Sequence, residues 1–377
     1  MLKVRTLFSG IGSPESALKN LQIPYELIDF CEVDKYAVKS YCAVHGVSKD
    51  KNLGDITKVW GRNLPYADLL VWGFPCQDIS VAGKQRGLKE GETRSGLYYE
   101  GFRILKETKP KYSIIENVKN LVGKRFKADF ESMLEDIESL GYNNYWKILN
   151  AKDYGIPQNR ERVFIVSIRK DIDDGNFQFP LGFDNGMRLK DFLEDEVDEK
   201  FYVSNKMVEG VIKHNINHRA KGTGFIWEPT NVNGYAKTLR ANAALCPTDN
   251  TIKVLVREAT KKGYAEALVG DSINIQFPNS KTRRGRVGRE IAQTLETACN
   301  QATLTQDYRI RKLTPKECWR LMGFTDEEFK RAEKVNSNSQ LYKQAGNSIV
   351  TNVLAAIFKK LLQAEITQIY EENKELS

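Results

Sequence analysis

An α/β fold with a doubly wound, mostly parallel sheet is what this 377-residue sequence predicts, and three observations carry that expectation. Short apolar runs recur through the first half, at Val4–Phe8, Leu27–Cys31, Leu69–Trp72, Ser113–Ile115 and Val163–Ile168, each of strand length and nearly unbroken, as strands buried on both faces are. Helical patterns lie between them, clearest at Phe130, Met133, Leu134, Ile137 and Leu140, with Gly141 placed to stop that helix. Glycines and polar side chains gather just past the runs, where open α/β sheets hold ligands.

Composition sets the outer bounds. Hydrophobic content of 41% with 28% charged residues is ordinary for a soluble globular protein of one large and one smaller domain. No apolar run reaches membrane length, and Met1-Leu2-Lys3-Val4 leads straight into a strand, so neither a membrane span nor a signal peptide is expected. Six cysteines at 31, 42, 76, 246, 299 and 318 form no Cys-x-x-Cys pair, which suits a reducing cytoplasm. A net charge of +8 suits a polyanionic partner without identifying one. His214 and His218 stand four apart, but no glutamate lies between them and no third ligand is evident, so no metal is expected.

After the first run, Gly10 and Gly12 allow a ligand close to the backbone, and Ser13-Pro14-Glu15 reads as a helix start. Glu32, about 20 residues on, closes the second run where an acidic side chain can take a ribose diol. A nicotinamide enzyme would share both signals, although Glu15 occupies the place of the third glycine of a dinucleotide motif. The third run ends in Gly73-Phe74-Pro75-Cys76-Gln77. Proline has no N–H to donate, so the strand stops there and the thiol is aimed from a stiff turn; the bland reading is a small buried cysteine.

The stretch from Ser80 to Gly87, with two glycines, small residues and cations, fits a closing lid or a plain mobile loop. Glu116-Asn117-Val118 closes the fourth run and Gln158-Asn159-Arg160-Glu161-Arg162 opens the fifth. From Asp171 the pattern loses its period. This region holds the densest basic run, Lys281 to Arg289, suited to phosphate or guanine contacts. It also holds two similar pieces, Ala236-Lys237-Thr238-Leu239-Arg240 and Ala292-Gln293-Thr294-Leu295-Glu296. A last amphipathic helix follows Asn347, with Ile349, Val350, Val353, Leu354, Ile357, Phe358 and Leu361 on its apolar side, and the acidic tail after Gln368 is expected to fray.

Taken in order, Phe8-Ser9-Gly10-Ile11-Gly12, Pro75-Cys76-Gln77, Glu116-Asn117-Val118 and Gln158 to Arg162 resemble the conserved blocks of the DNA (cytosine-5)-methyltransferase family of bacterial and phage type. So do Arg311-Lys312-Leu313-Thr314-Pro315 with Leu321-Met322-Gly323-Phe324, and Gln344-Ala345-Gly346-Asn347-Ser348. The resemblance covers nearly the whole chain, apart from about 171–309. It implies a Rossmann-like catalytic domain over 1–180, a smaller target recognition domain over 181–325, and a segment 326–377 returning to the catalytic domain beside the first strand.

The same resemblance implies S-adenosylmethionine as methyl donor and no metal. Phe8 would lie on the adenine, Glu32 on the ribose hydroxyls, and Asp55 with Ile56 around the adenine edge. Pro75, Leu97 and Asn347 would complete a pocket to which Gly10, Ile11, Gly12 and Val33 also belong. Cys76 would add to C6 of cytosine, Glu116 would act at N3, Arg162 would hold O2, and Arg160 would position base and nucleophile. Duplex DNA is the implied partner, with its target base extruded from the stack, because C5 chemistry is out of reach inside a duplex. Ser80, Lys84 and Arg94 would grip phosphates, Gln85 would fill the vacated space, and Arg283, Arg284 and Arg286 would enter a groove. Thr294 has the better position for the family's threonine-leucine pair in the recognition domain. A monomer is expected, with a cognate restriction endonuclease as a partner acting separately. A tRNA cytosine-5 methyltransferase on the same core is the rival, but its Cys-Phe-Thr element is not found.

Overall fold

The computed structural model describes residues 1–80, 85–222, 224, 226–241, 249–252 and 311–363, with the backbone of five short strands at 255–257, 264–266, 272–274, 287–288 and 301–303. Two compact units divide the chain, one formed by Met1–Arg188, Thr238–Ala243 and Cys318–Ser377, the other by Leu189–Lys237 and Ala244–Glu317. The units divide after 188 and 317, and the boundaries expected from the sequence are 180 and 325. That the strip from Thr238 joins the first unit was not expected. Lys84, Arg283, Arg284, Arg286, Thr294 and the acidic tail lie outside the described residues.

The first unit runs β1 (Leu2–Leu7), α1 (Ser13–Asn20), β2 (Tyr25–Cys31), α2 (Lys35–His45), β3 (Leu69–Trp72), α3 (Tyr98–Thr108), β4 (Tyr112–Val118), α4 (Lys127–Ser139), β5 (Tyr142–Asn150), the two-residue β6 (Gln158–Asn159) and β7 (Glu161–Arg169). Its sheet has the order β2-β1-β3-β4-β7-β5. The pairings β1–β2, β1–β3 and β3–β4 are parallel, while β7 runs antiparallel to both β4 and β5. The sheet is therefore doubly wound and Rossmann-like. From β1 the chain winds to β2 on one side, then crosses to β3 on the other, and such a switch point opens a crevice above the strands' carboxyl ends.

Each strand is held by what it buries. Leu69–Trp72 is wholly buried, and Trp72 stacks on Tyr98 while its indole N–H donates to the Ser113 hydroxyl at 3.0 Å. Gly101 on α3 lets the helix settle on that indole, since a Cβ there would lie 2.3 Å from the ring. Across β1 and β2 the buried Arg5 and Asp29 form a two-pronged ion pair, with both contacts at 2.6 Å. Removing one partner of such a pair strands the other charge, at a cost of about 3–5 kcal/mol. β5 was not anticipated. It is an edge strand whose Asn143, Asn144 and Lys147 break the apolar run that marks an inner strand, and edges tolerate such residues.

One local detail differs from expectation. Helix α1 is entered from Gly12 at φ +84°, with Ser13 already inside it, so no side-chain cap is formed. Gly141, at φ +93°, lies just past α4 as expected. In the C-terminal part, α6 (Pro315–Arg320), α7 (Asp326–Glu333), α8 (Asn338–Asn347) and α9 (Thr351–Leu361) follow. α9 buries Val353, Leu354, Ile357, Phe358 and Leu361, and packs against α1.

The second unit contains the helix α5 (Asn205–Lys221) and short antiparallel pairs, Thr251–Ile252 with Arg311–Lys312, Leu255–Arg257 with Tyr264–Glu266, and Ser272–Asn274 with Val287–Gly288 and Gln301–Thr303. Arg311 and Glu317 form its buried ion pair, at 2.8 Å. His214 and His218 share one face of α5 with ring centres 4.2 Å apart, and among the described residues no cluster could hold a metal ion. No helix among the described residues is long and apolar enough to cross a membrane.

Candidate active site

A cleft of about 370 Å3 opens above the carboxyl ends of β1 to β4, a size suited to a cofactor-like ligand. Its first wall is the turn after β1. Phe8 and Gly10 have φ of +53° and +56°, and a positive φ in a bulky non-glycine residue is a strained conformation of the kind that clusters at functional sites. Glu32, just past β2, takes the Gly10 N–H at 2.9 Å on one carboxylate oxygen and the Asp34 N–H at 2.7 Å on the other. Burial pushes its pKa up, and those N–H groups oppose the shift. Asp55 and Ile56 follow on the next loop, where Asp55 caps a short helical turn by accepting from the Thr57 N–H at 3.1 Å.

Past β3 the chain makes the Phe74-Pro75-Cys76 turn, braced from three sides. The Asn117 amide donates to the Phe74 carbonyl at 3.0 Å, the Ser95 hydroxyl to the Pro75 carbonyl at 2.7 Å, and the N–H groups of Ile79 and Ser80 to the Cys76 carbonyl. Asp78 beneath it accepts from Arg86 at 2.9 Å and from the Arg94 N–H at 3.0 Å, tying the loop's far end to the cysteine turn. The half-buried Cys76 thiol faces the cleft. Burial and the nearby Glu116 push its pKa up, while Arg162 and Arg160 pull it down.

Glu116 reaches this point because β4 runs on to Val118. Arg162 reaches it because antiparallel β7 starts where β4 ends, with Val118 opposite Arg162 in register. Residues diagonal across a strand pair share a face, and the Arg162 Nε lies 3.1 Å from Glu116 Oε1. Burial raises the Glu116 pKa against the pull of both arginines, so the acid form is favoured more than in water. Gly73 gives that carboxyl its space, since a Cβ there would stand 3.2 Å from the Glu116 carbonyl and 3.4 Å from its carboxylate.

Arg160, expected to position base and nucleophile, is buried. Its two terminal nitrogens donate to the carbonyls of Leu239 at 3.1 Å, Gly346 at 3.0 Å and Ser348 at 2.9 Å, leaving only Nε without a partner. Arg160 is thus spent chiefly on holding backbone together, although it still lines the cleft. The Thr238 strip fits the same joint. Thr238 donates to the Asn159 carbonyl at 2.7 Å and the Leu239 N–H to Gln158 at 3.0 Å, while Gly346 is needed because a Cβ would meet the Ala241 nitrogen at 2.3 Å.

Of the expected cofactor residues, Phe8, Gly10, Glu32, Val33, Asp55, Ile56, Pro75, Leu97 and Asn347 line the cleft together with the four catalytic candidates and Arg94. Ile11 and Gly12 do not; Ile11 is buried in the core and Gly12 starts α1. Gln85 accepts from Arg125 at 2.9 Å and Arg94 donates to Gln77 at 2.9 Å, so both are engaged within the loop region; Ser80 sits at the loop's start. The sequence reading missed Asp34, Lys343 and Gln344. Lys343 pairs with Asp34 at 2.6 Å and Gln344 accepts from Ser40 at 2.9 Å, pinning the end of α8 to α2 at the cleft rim. Only their closeness to Glu32 and Asn347 in sequence hinted at this.

Comparison with known proteins agrees with the geometry. The family of C-5 cytosine-specific DNA methylases matches residues 2–363. An orphan methyltransferase of Bacillus phage SPR is 34% identical, covering 97% of this chain and 99% of its own, and a type II methyltransferase of Lactococcus lactis subsp. cremoris is 34% identical over 97% and 100%. The solved Dnmt2 methyltransferase of S. pombe, 17% identical, superposes with a TM-score of 0.62 over 97% of this chain and 99% of that one, a likeness of fold. The chain therefore belongs to the C-5 cytosine-specific DNA methylase family, and it is a DNA cytosine-5 methyltransferase of phage and bacterial kind.

Proposed function

We propose that the chain methylates C5 of a cytosine flipped out of a specific duplex sequence, through a covalent bond between Cys76 and the base. One observation carries this reading: the Cys76 thiol, the Glu116 carboxyl and the Arg162 guanidinium meet in the same cleft as Glu32 and the Phe8–Gly10 turn. The wall fits S-adenosylmethionine, which supplies an electrophilic methyl carbon when bound. Glu32 keeps lone pairs for ribose hydroxyls beyond the two N–H groups it already accepts, Ile56, Pro75 and Leu97 give apolar contact, and Gly10 lets a ligand approach the backbone.

Cytosine C5 is a weak nucleophile, and covalent catalysis divides the hard step. The Cys76 thiol, once deprotonated, forms a bond from its thiolate sulfur to C6, the C5–C6 π electrons shift through C4 toward N3, and N3 takes a proton from Glu116. Arg162, held on Glu116, is placed to grip O2. C5 is then enamine-like and able to accept a methyl carbon as the donor's sulfonium S–CH3 bond breaks and leaves a neutral thioether. Loss of the C5 proton to water re-forms the C5–C6 double bond and expels the Cys76 thiolate, and N3 gives its proton back to Glu116. Arg160 positions this centre through the backbone it binds. Ser80, Lys84, Gln85 and Arg94 are proposed to meet DNA near the extruded base, and Arg283, Arg284 and Arg286 to hold phosphates or bases elsewhere. Thr294 is proposed for recognition, and a restriction endonuclease as a separately acting companion.

The test is transfer of a tritiated methyl group from S-adenosylmethionine to duplex DNA and, in parallel, to tRNA. Label is expected at C5 of DNA cytosines only, with Cys76→Ser abolishing it and leaving cofactor binding intact. Full activity in that variant, or label confined to tRNA, overturns the reading.

A further inference from the structure

Behind the Phe8–Gly12 turn lies a half-buried polar group that the reaction does not use. His45 is the last residue of α2, tilted against Tyr41 with ring centres 4.8 Å apart, and it does not line the cleft. Its Nε2 lies 2.9 Å from the Ile11 carbonyl and its Nδ1 3.2 Å from the Lys19 ammonium of α1. An ammonium has only protons to give, so Nδ1 is the acceptor of that bond. The one neutral tautomer left carries its hydrogen on Nε2, and that N–H donates to Ile11. Burial and the positive charges of Lys19 and Arg331 push the His45 pKa down to about 3, against the pull of the Ile11 carbonyl, so the ring stays neutral.

Gly12 adds an independent steric observation. It has φ +84°, and a Cβ on it would lie 2.1 Å from His45 Nε2. The imidazole therefore fills the space that a side chain at 12 would take and presses on the turn from behind. A positive φ at the bulky Phe8 costs conformational energy and persists only where the surroundings of the turn over-determine it.

We propose that His45 is a positioning residue for the cofactor: the relay Lys19→His45→Ile11 fixes the Phe8–Gly12 turn and so sets the affinity for S-adenosylmethionine without touching it or the base. This rests on the reading that the cofactor lies against that turn.

The experiment compares wild type, His45→Phe and His45→Gln by calorimetric S-adenosylmethionine binding and by steady-state methyl transfer. Phenylalanine keeps the ring's bulk beside Tyr41 and loses both hydrogen bonds; glutamine can give and take them. His45→Phe should weaken binding and raise KM for the cofactor by about 10-fold, with kcat at saturation within about 2-fold, as loss of a partly buried hydrogen bond that orders the turn would. His45→Gln should recover to within about 3-fold of wild type. Wild-type affinity in His45→Phe, equal losses in both variants, or a fall in kcat at unchanged KM overturns the proposal. Should His45→Phe fail to fold, the nitrogen-15 imidazole spectrum of the wild type still decides: Nε2–H neutral tautomer supports the relay, and Nδ1–H or a cationic ring at neutral pH overturns it. Absence of cofactor binding to the wild type overturns the functional reading instead and takes the affinity claim with it, while the tautomer stands on its own.

Discussion

The two walls of the cleft are built by different means. The wall of Phe8, Gly10, Glu32 and Asp55 comes from the turns after β1 and β2 and from the loop after α2, all close in sequence, and its polar contacts run largely to backbone N–H groups. The wall of Cys76, Glu116, Arg160 and Arg162 gathers residues from the turn after β3, from β4 and from the start of β7, and at its centre two opposite charges, Glu116 and Arg162, are paired out of water. The first can hold a ligand; the second can move protons and make bonds. The difference leads to the expectation that affinity and reactivity are separable here, each removable without the other.

The widest separation is expected from Cys76→Ser, which should lower methyl transfer by at least about 10^3-fold with cofactor affinity unchanged in calorimetry. A parallel loss of affinity would show that the two walls act as one. Glu116→Gln comes next, with a loss of about 10^2- to 10^4-fold if it is the acid at N3. It carries a second, opposite signature. The Glu116 charge holds the Cys76 pKa up, so removing it should lower that pKa and speed thiol alkylation between pH 7 and 9, whereas Arg162→Ala should raise it and slow alkylation. Equal alkylation profiles in all three proteins would break the electrostatic account.

On the other wall, Glu32→Ala should raise KM for S-adenosylmethionine about 10-fold and leave the Cys76 alkylation profile as it was. The smallest effect concerns the floor beneath that wall. Glu15 is fully buried, accepts from Tyr41 at 2.6 Å and Thr6 at 3.1 Å, and burial raises its pKa above the ordinary 4.5. The folded state thus holds a proton that the unfolded chain releases, and stability falls as pH rises from 4.5 through the raised value. Glu15→Gln removes this slope. Its Tm should gain on wild type by about 2 °C between pH 4.5 and 8, and a constant gap across that range would refute the linkage.

Much of this molecule was legible before any coordinates. Four strands of the parallel core, the helix ending at Gly141 and the Pro75-Cys76 turn are local events, written in apolar run lengths and in the backbone limits of proline and glycine. The acid about 20 residues past the glycine turn is legible for the same reason, because one strand-helix-strand unit has a nearly fixed length.

What only the tertiary structure decided is which residues meet across long separations. The sequence marks β7 as a strand but not its direction, and it is the antiparallel direction that sets Arg162 beside Glu116. Nothing local tells that the Arg160 fork is taken up by three carbonyls, that Thr238 and Leu239 bind the Gln158-Asn159 segment, or that His45 stands behind Gly12. Hydrogen bonds and ion pairs are made by whichever groups the packed elements bring within about 3 Å, and that distance depends on strand order and helix docking, which short-range pattern does not encode.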